Sequence, residues 1–434
     1  MYAIMKRAFL IIVLCLFLPY PLISEDKNPV YVINIDGAIN PIIAKYIENS
    51  ISRASESGAQ CLVIQLDTPG GLDTSMRSIV KAIENSPVPV IVFVSPSGAR
   101  AASAGVIVTL ASHIAAMAPG TNIGAAHPVN IGGQQVDKDM RAKIENDAVA
   151  YIKSLASKHG RNTDWAEKAV RKSVSITAEE ALSLNVINFI ANDLTTLLQK
   201  IDGKEVKVKD QKMRLATKNA PLKTLGMSMK ENFLNTLSDP NFAYILLMIG
   251  MWGIFFELSN PGAIFPGVIG GISLILAFVA FQTLPINYAG AFLILLGIIF
   301  FIAEIKVTSY GLLAVAGTIC LALGSIMLFE SPEPFLRVSW KVILPAVIAT
   351  GGFFTFALTM AIKAQMVQPT TGAQGMIGEI GVVREKLSPG REGKVFLHGE
   401  FWNAFSDDPV EEGEKVTVVA VDRLKVRVKK LANS

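Results

Sequence analysis

Charge is scarce in this chain. Charged residues make up 18% of its 434 positions, against 51% that are hydrophobic, where a soluble protein carries about 25% charge. Cysteine is scarcer still. Cys15, Cys61 and Cys320 are the only three; one lies in an N-terminal apolar run, one in an expected buried strand and one in an expected membrane segment. That distribution excludes a disulfide framework and a metal site of paired cysteines. Four histidines (His113, His127, His159, His398) occur without the HExxH spacing of a metalloprotease. The net charge of +4 is too small to argue for a nucleic-acid partner.

The apolar excess is local. Residues 24–240 have the composition of an ordinary soluble domain, and most of the excess lies in 241–363. At the start, Lys6 and Arg7 precede an apolar run from Ala8 to Leu18. A basic segment followed by about 7–15 apolar residues is the layout of an export signal, so 1–24 reads as a signal peptide or signal anchor. No clean cleavage site follows it. Cys15 lacks a small residue just before it, which argues against a lipoprotein.

Three regions follow. In the first, 28–235, apolar runs at 30–35, 61–66 and 88–94 alternate with helical spacing at 42–58 and 75–85, and a long helix is expected at 139–158. Strands alternating with helices imply a parallel or mixed sheet covered on both faces, an α/β fold. In the second, 242–363, five apolar spans are expected at 242–258, 264–284, 289–305, 311–329 and 342–362. Each is near the ~20 residues that cross a bilayer. Five spans starting outside end inside, while the Lys and Arg distribution is a weak check on orientation. In the third, 370–431, short alternating segments at 377–383, 393–397, 415–421 and 424–428 suggest a small β-barrel of OB type. Its basic and acidic residues balance, and no aromatic stacking series appears. Protein interaction or oligomerisation suits it better than nucleic-acid binding.

The chemistry concentrates in two loops that follow strands. One is Ser97-Gly98-Ala99-Arg100-Ala101-Ala102-Ser103-Ala104-Gly105. A serine among alanines and glycine lets a substrate backbone come close, and a helix starting there favours a developing oxyanion. The composition alone also suits a tight turn opening a core helix. The other loop, Asp67-Thr68-Pro69-Gly70-Gly71, has paired glycines that can expose N–H groups for an oxyanion hole. Together the loops place a nucleophile and donors at one end of a sheet. A serine needs a base. His127, in Gly124-Ala125-Ala126-His127-Pro128, and Lys143 are the first candidates, with Lys138 and Lys153 behind them. A lysine serves if an apolar site lowers its pKa. Spacing alone does not choose between lysine and histidine.

Further motifs carry a resemblance. They are Leu66-Asp67-Thr68-Pro69-Gly70-Gly71, Gly98-Ala99-Arg100-Ala101-Ala102-Ser103-Ala104-Gly105, Met117-Ala118-Pro119-Gly120-Thr121-Asn122-Ile123-Gly124-Ala125, Tyr151-Ile152-Lys153-Ser154-Leu155-Ala156 and Gly399-Glu400-Phe401-Trp402. In this order, along nearly the whole chain, the sequence resembles the long-form NfeD proteins, membrane-bound serine proteases related to Clp protease and signal peptide peptidase A. The resemblance implies a Clp/crotonase-type α/β protease domain, a transmembrane helical region and an OB-like C-terminal domain. It implies a Ser–Lys dyad of Ser103 and Lys143, with Gly70, Gly71 and Ala104 at the oxyanion hole. It further implies no ATP, metal or other cofactor, and substrates that are apolar segments of stomatin-like membrane proteins. One departure keeps a Ser–His mechanism open: His127 sits roughly where Clp protease keeps its triad histidine. The stretch 130–143 is polar and glycine-containing, and is expected to be mobile.

Two readings from other classes stand beside the peptidase. A non-catalytic scaffold for stomatin-like partners would be signalled by a missing serine or lysine, and both are present. An acyl-CoA enzyme on a crotonase-like fold sits poorly with export, because CoA thioesters are cytoplasmic. The expected setting is the cell membrane, with the protease domain outside the cytoplasm, the barrel inside, lipid around the spans, and a homodimer or larger assembly.

Overall fold

The computed structural model describes residues 28–129, 137–259, 262, 264–307, 309–331, 333–366 and 375–431. The expected export signal and residues 130–136 of the expected mobile stretch lie outside them. The chain divides into two compact units, Met1–Val307 with Val315–Ile348 and Thr308–Ala314 with Ala349–Ser434.

The first unit opens with strands and helices in alternation: β1 (Val30–Asp36), α1 (Pro41–Glu56), β2 (Cys61–Asp67), α2 (Asp73–Glu84), β3 (Val90–Val94), β4 (Arg100–Ala102) and α3 (Ala104–Ala111). There follow β5 (Ile114–Met117), β6 (Asn122–Gly124), α4 (Lys138–Lys158), α5 (Thr163–Arg171), β7 (Ser175–Thr177), α6 (Ala178–Ser183) and β8 (Phe189–Ile190). Then come α7 (Leu194–Ile201), β9 (Glu205–Val208), β10 (Gln211–Arg214), β11 (Leu222–Thr224) and α8 (Met229–Leu237).

Six of these strands form one sheet in the order β11-β1-β2-β3-β5-β8, and every pairing in it is parallel. Both faces are covered, so the central strands read as continuous Val/Ile runs rather than alternating ones. One core cluster includes Ile33, Ile64 and Val92, with Ile47, Ile79 and Ile152 from the helices. A second holds Val63 and Phe93 with Leu197 and Val206. Burial pushes the Cys61 thiol up to about 12, leaving it un-ionised in its strand.

Local signals set the helix starts. Asn40 caps α1 through Ile43 N–H at 2.8 Å, with Pro41 in the first position. Thr177 and Glu180 form a capping box on α6. The sequence reading lacked two small sheets, β4-β6-β7 and the β9–β10 hairpin. Their strands are only three or four residues long, and the hairpin carries Lys207 and Lys212, so neither shows the apolar run by which a strand is recognised.

Helix α8 has a capping box of Ser228 and Glu231. It is held to α1 by Asn40 Nδ2 donating to Asn235 Oδ1 at 2.8 Å and Asn49 Nδ2 donating to Glu231 Oε1 at 3.0 Å. Beyond it run α9 (Pro240–Ser259), α10 (Phe265–Phe281), α11 (Tyr288–Lys306), α12 (Leu312–Met327) and α13 (Trp340–Met366). These five helices fall on the five expected apolar spans. Two stretches, Pro240–Ser259 and Pro334–Ala357, are long and apolar enough to cross a membrane, and the other three are shorter. Ile275, Phe278 and Phe292 are each at least 60% exposed. Helices that are apolar on their outward faces suit a hydrocarbon surround. The α9–α10 pair packs backbone to backbone: a Cβ on Gly253 would lie 2.6 Å from Gly270 Cα.

The second unit contains a closed barrel of β12 (Ile380–Val383), β13 (Gly393–Leu397), β14 (Glu400–Phe405), β15 (Lys415–Asp422) and β16 (Lys425–Lys430), in the order β12-β13-β14-β16-β15. Val383, Val395, Leu397, Val416, Val418, Val426 and Val428 fill it, and in β13 and β16 they alternate with outward residues. Strand β14 is the one the sequence reading lacked. Only Ala404 of its six residues is buried, so its pattern does not alternate.

Candidate active site

The loops after β2 and β3 lie at the carboxyl ends of parallel strands, where open α/β sheets bind ligands. They are stitched together. Thr68 N–H donates to Arg100 O at 2.8 Å, Ala102 N–H to Thr68 O at 3.1 Å, and Arg100 N–H to Asp67 Oδ1 at 3.0 Å. This ladder brings Ser103 beside the Gly70-Gly71 pair.

Ser103 occupies the turn from β4 into α3 with φ 51° and ψ −114°. A non-glycine residue at positive φ is strained, and such strain clusters at functional positions. As the N-cap of α3, its side chain makes no capping hydrogen bond, so Oγ is not tied back to the helix. Gly70 takes φ +131°, and a Cβ there would lie 2.8 Å from Ser103 Cβ and 3.2 Å from Oγ. Only glycine leaves that space open.

Ser103, Ala104, Gly71 and Lys143 line one cavity of about 440 Å³. Ala104 is the first residue of α3, where N–H groups lack intrahelical acceptors and the helix dipole is positive. Gly70, expected among the oxyanion donors, instead donates its N–H to Thr68 Oγ1 at 3.1 Å. Its part in the geometry is the room it leaves for Ser103.

Helix α4 overhangs the cavity. Its capping Asp137 accepts from Lys138 N–H at 2.8 Å, so the expected mobile stretch turns helical from residue 138. Met140, Lys143, Ile144, Asp147 and Ala148 all line the cavity; their spacing of three, four and seven is one helix face. The other half of α4 buries Val149, Ile152, Leu155 and Ala156. Arg77 of α2 holds the overhang in place: it pairs with Asp73 at 2.9 Å and with Asp147 at 2.6 Å, and its guanidinium lies 4.4 Å from the Tyr151 ring centroid.

The other basic candidates lie elsewhere. His127 Nδ1 is 3.0 Å from Val170 O, the histidine ring donating to that carbonyl, and His127 does not line the cavity although Ala126 and Pro128 do. Lys153 is paired with Glu167 at 2.6 Å, and Lys138 is not on the lining. The reading of single motifs had no means to find Asp73, Arg77 and Asp147, or the distant Glu333, Phe335 and Leu336, which also line the cavity. The four-residue spacing of Asp73 and Arg77 was the one available signal.

With this geometry in view, three family models match the chain: an NfeD1b N-terminal domain over residues 29–211, an NfeD integral membrane domain over 241–360, and an NfeD-like C-terminal, partner-binding domain over 373–430. Membrane-bound protease PH1510 of Pyrococcus horikoshii is 39% identical over 432 residues, 97% of each chain. Membrane protein NfeD1b of Bacillus subtilis is 25% identical over 439 residues, 94% of each chain. Among solved structures, the 1510-N membrane protease specific for a stomatin homolog from Pyrococcus horikoshii is 38% identical, covers 49% of this chain and 100% of its own, and has a TM-score of 0.44. A lysine-to-alanine mutant of the 1510-N membrane-bound stomatin-specific protease, in complex with a substrate peptide, is 38% identical, covers 49% and 98%, and has a TM-score of 0.46.

Proposed function

The chain belongs to the NfeD family of membrane proteins, and from that premise we propose the activity and the roles of its residues. It is a multi-pass membrane-bound serine protease that acts on a stomatin-like membrane protein. Ser103 Oγ attacks a peptide carbonyl, and Lys143 Nζ takes the hydroxyl proton. A lysine works as a base only as the neutral amine. The N–H groups of Gly71 and Ala104 hold the oxyanion of the tetrahedral intermediate. Lys143 then gives its proton to the leaving amine, and water, deprotonated by the same lysine, releases the acyl group from Ser103.

The observation that carries this reading is the shared cavity: a strained serine with an uncapped hydroxyl, two backbone donors and one lysine line it together. His127, the alternative base, has its Nδ1 at the Val170 carbonyl. The parallel sheet with a small second sheet beside the nucleophile supports the Clp/crotonase assignment of residues 28–235. The closed five-stranded barrel supports an OB-type reading of 370–431. Five helices between 240 and 366 support the five spans proposed for 242–363, with the protease domain outside the cytoplasm, the barrel within it and residues 1–24 as the export signal. The assembly we propose is a homodimer or larger, by analogy with related folds that assemble.

The test is cleavage of an apolar peptide by the full chain in detergent. Ser103→Ala and Lys143→Ala are each expected to lower the rate at least ~10³-fold, and His127→Ala to leave it within about twofold. Activity lost with His127→Ala and kept with Lys143→Ala would make this a Ser–His enzyme.

The family model matching residues 373–430 describes a partner-binding domain, which favours a docking role for the barrel in addition to catalysis. Co-purification of a stomatin-like protein by the wild-type chain, lost when Phe401 and Trp402 of β14 are replaced by alanine, is the expected result.

A further inference from the structure

The connection between α12 and α13 is not a free surface loop. Leu328, Phe329, Ser331, Leu336 and Val338 are each at most 8% exposed. Asn287, on the α10–α11 connection, donates its N–H to Leu328 O at 2.9 Å and its Nδ2 to Glu330 Oε2 at 2.9 Å. At the other end, Ser339 N–H donates to Asn241 Oδ1 at 2.7 Å, at the start of α9. Between these anchors a single 3₁₀ turn, Pro334–Leu336, presents Phe335 and Leu336 to the cavity that Ser103 and Lys143 line. Glu333, beside the turn, also lines it. Burial raises the Glu333 carboxyl above its ordinary value, opposed by the nearby positive charge of Arg100, three residues before the serine.

Two observations decide what such a segment does. The cavity retains about 440 Å³ with the turn in place, so the turn bounds the cleft and does not fill it. Ile107, Met140 and Ile144 add further apolar side chains to the lining. We propose that Phe335 and Leu336, residues of the membrane region, are specificity-determining: they complete an apolar subsite beside Ser103 that selects a leucine- or phenylalanine-sized side chain next to the scissile bond. The inference rests on the reading of Ser103 as nucleophile. It gives the membrane region a direct part in substrate choice, because the turn is anchored to the first membrane helix and to the α10–α11 connection.

The experiment uses the full chain in detergent and two peptides that differ only in a leucine or a serine beside the scissile bond. A small sulfonyl fluoride that modifies the active serine measures the nucleophile independently of the subsite. In a Phe335→Ala, Leu336→Ala double variant, the leucine-over-serine ratio of kcat/KM is expected to fall about tenfold or more, the range that one apolar contact supplies. The rate of serine modification should stay within about twofold of wild type. An unchanged ratio with unchanged modification overturns the proposal. A rise in cleavage of both peptides alike also overturns it, because the turn would then be an obstructing strap. Where the double variant does not fold, Phe335→Leu and Leu336→Val are compared on the same ratio, with the same expected direction. If the wild-type chain cleaves both peptides but Ser103 is not the modified residue, the catalytic assignment fails, and the ratio in the variants still decides the wall.

Discussion

At the scale of single residues, the site depends on atoms that are missing as much as on those present. Gly70 adopts a backbone angle open to glycine, and any side chain would strike Ser103. Gly70→Ala is expected to lower peptide cleavage at least ~10-fold, and the strained backbone to cost about 1–3 kcal/mol of stability. Parallel thermal melts and rate measurements check both. A second prediction comes from the cluster at the far end of the sheet. Burial, with the charge of His159 next, lowers His113 from 6.5 to about 4. Burial would raise Glu84, but hydrogen bonds and charge from His159 and Lys158 outweigh it and hold it at about 2 against an ordinary 4.5. Both shifts mean that the unfolded chain binds more protons than the folded one in acid, so stability falls as pH falls. His113 contributes its loss between pH 6.5 and about 4, and Glu84 between 4.5 and about 2. Melting temperatures across this range should decline. His113→Asn, whose Oδ1 can still accept from Val90 N–H, should flatten the upper part of the decline.

At the scale of elements, Asn40 joins two of them. Its Oδ1 caps α1, and its Nδ2 reaches Asn235 of α8. Asn40→Asp keeps the cap and loses the bridge, whereas Asn40→Ala loses both. The alanine variant is therefore expected to be the less stable by about 1 kcal/mol, the usual contribution of a cap. Equal melting temperatures for the two would deny the cap its role. The α9–α10 pair is held by small residues that let backbones meet, as membrane helices pack. Gly253→Leu is expected to part this pair, seen as a lower yield of folded chain in detergent, while Gly271→Leu, with open space around it, should be tolerated. Strands β1, β2 and β3 of the sheet were readable in advance because buried parallel strands are written as apolar runs, whereas β5, β8 and β11 are only two to four residues long and were not. Strand β14 and the β4-β6-β7 sheet were not, because their pairing is set by neighbours and leaves no periodic trace in their own few residues.

At the scale of the whole molecule, the proposed five spans would put the α10–α11 and α12–α13 connections on the side of the sheet domain. In a chain freed of its native cysteines, single cysteines at Ile286 and Pro334 are expected to react with a membrane-impermeant maleimide from the same side as one at Lys45. Reaction from opposite sides would refute the five-span reading. The proposal that the barrel lies within the cytoplasm is tested by a cysteine at Lys425, expected to label from the other side.

By itself the sequence determined the kinds of element, the three-region order and the two glycine- and alanine-rich loops around Ser103. Those are local facts, encoded in the periodicity and composition of contiguous residues. It left open which cation faces the serine, because His127 and Lys143 lie 24 and 40 residues downstream and only packing decides where each points. In the tertiary structure the Val170 carbonyl turns to His127, α4 carries Lys143 over the cleft, and a turn more than two hundred residues away supplies Phe335 and Leu336. Contacts between segments so distant in sequence arise from the packing of helices on the sheet and on one another, and no single segment carries a record of them.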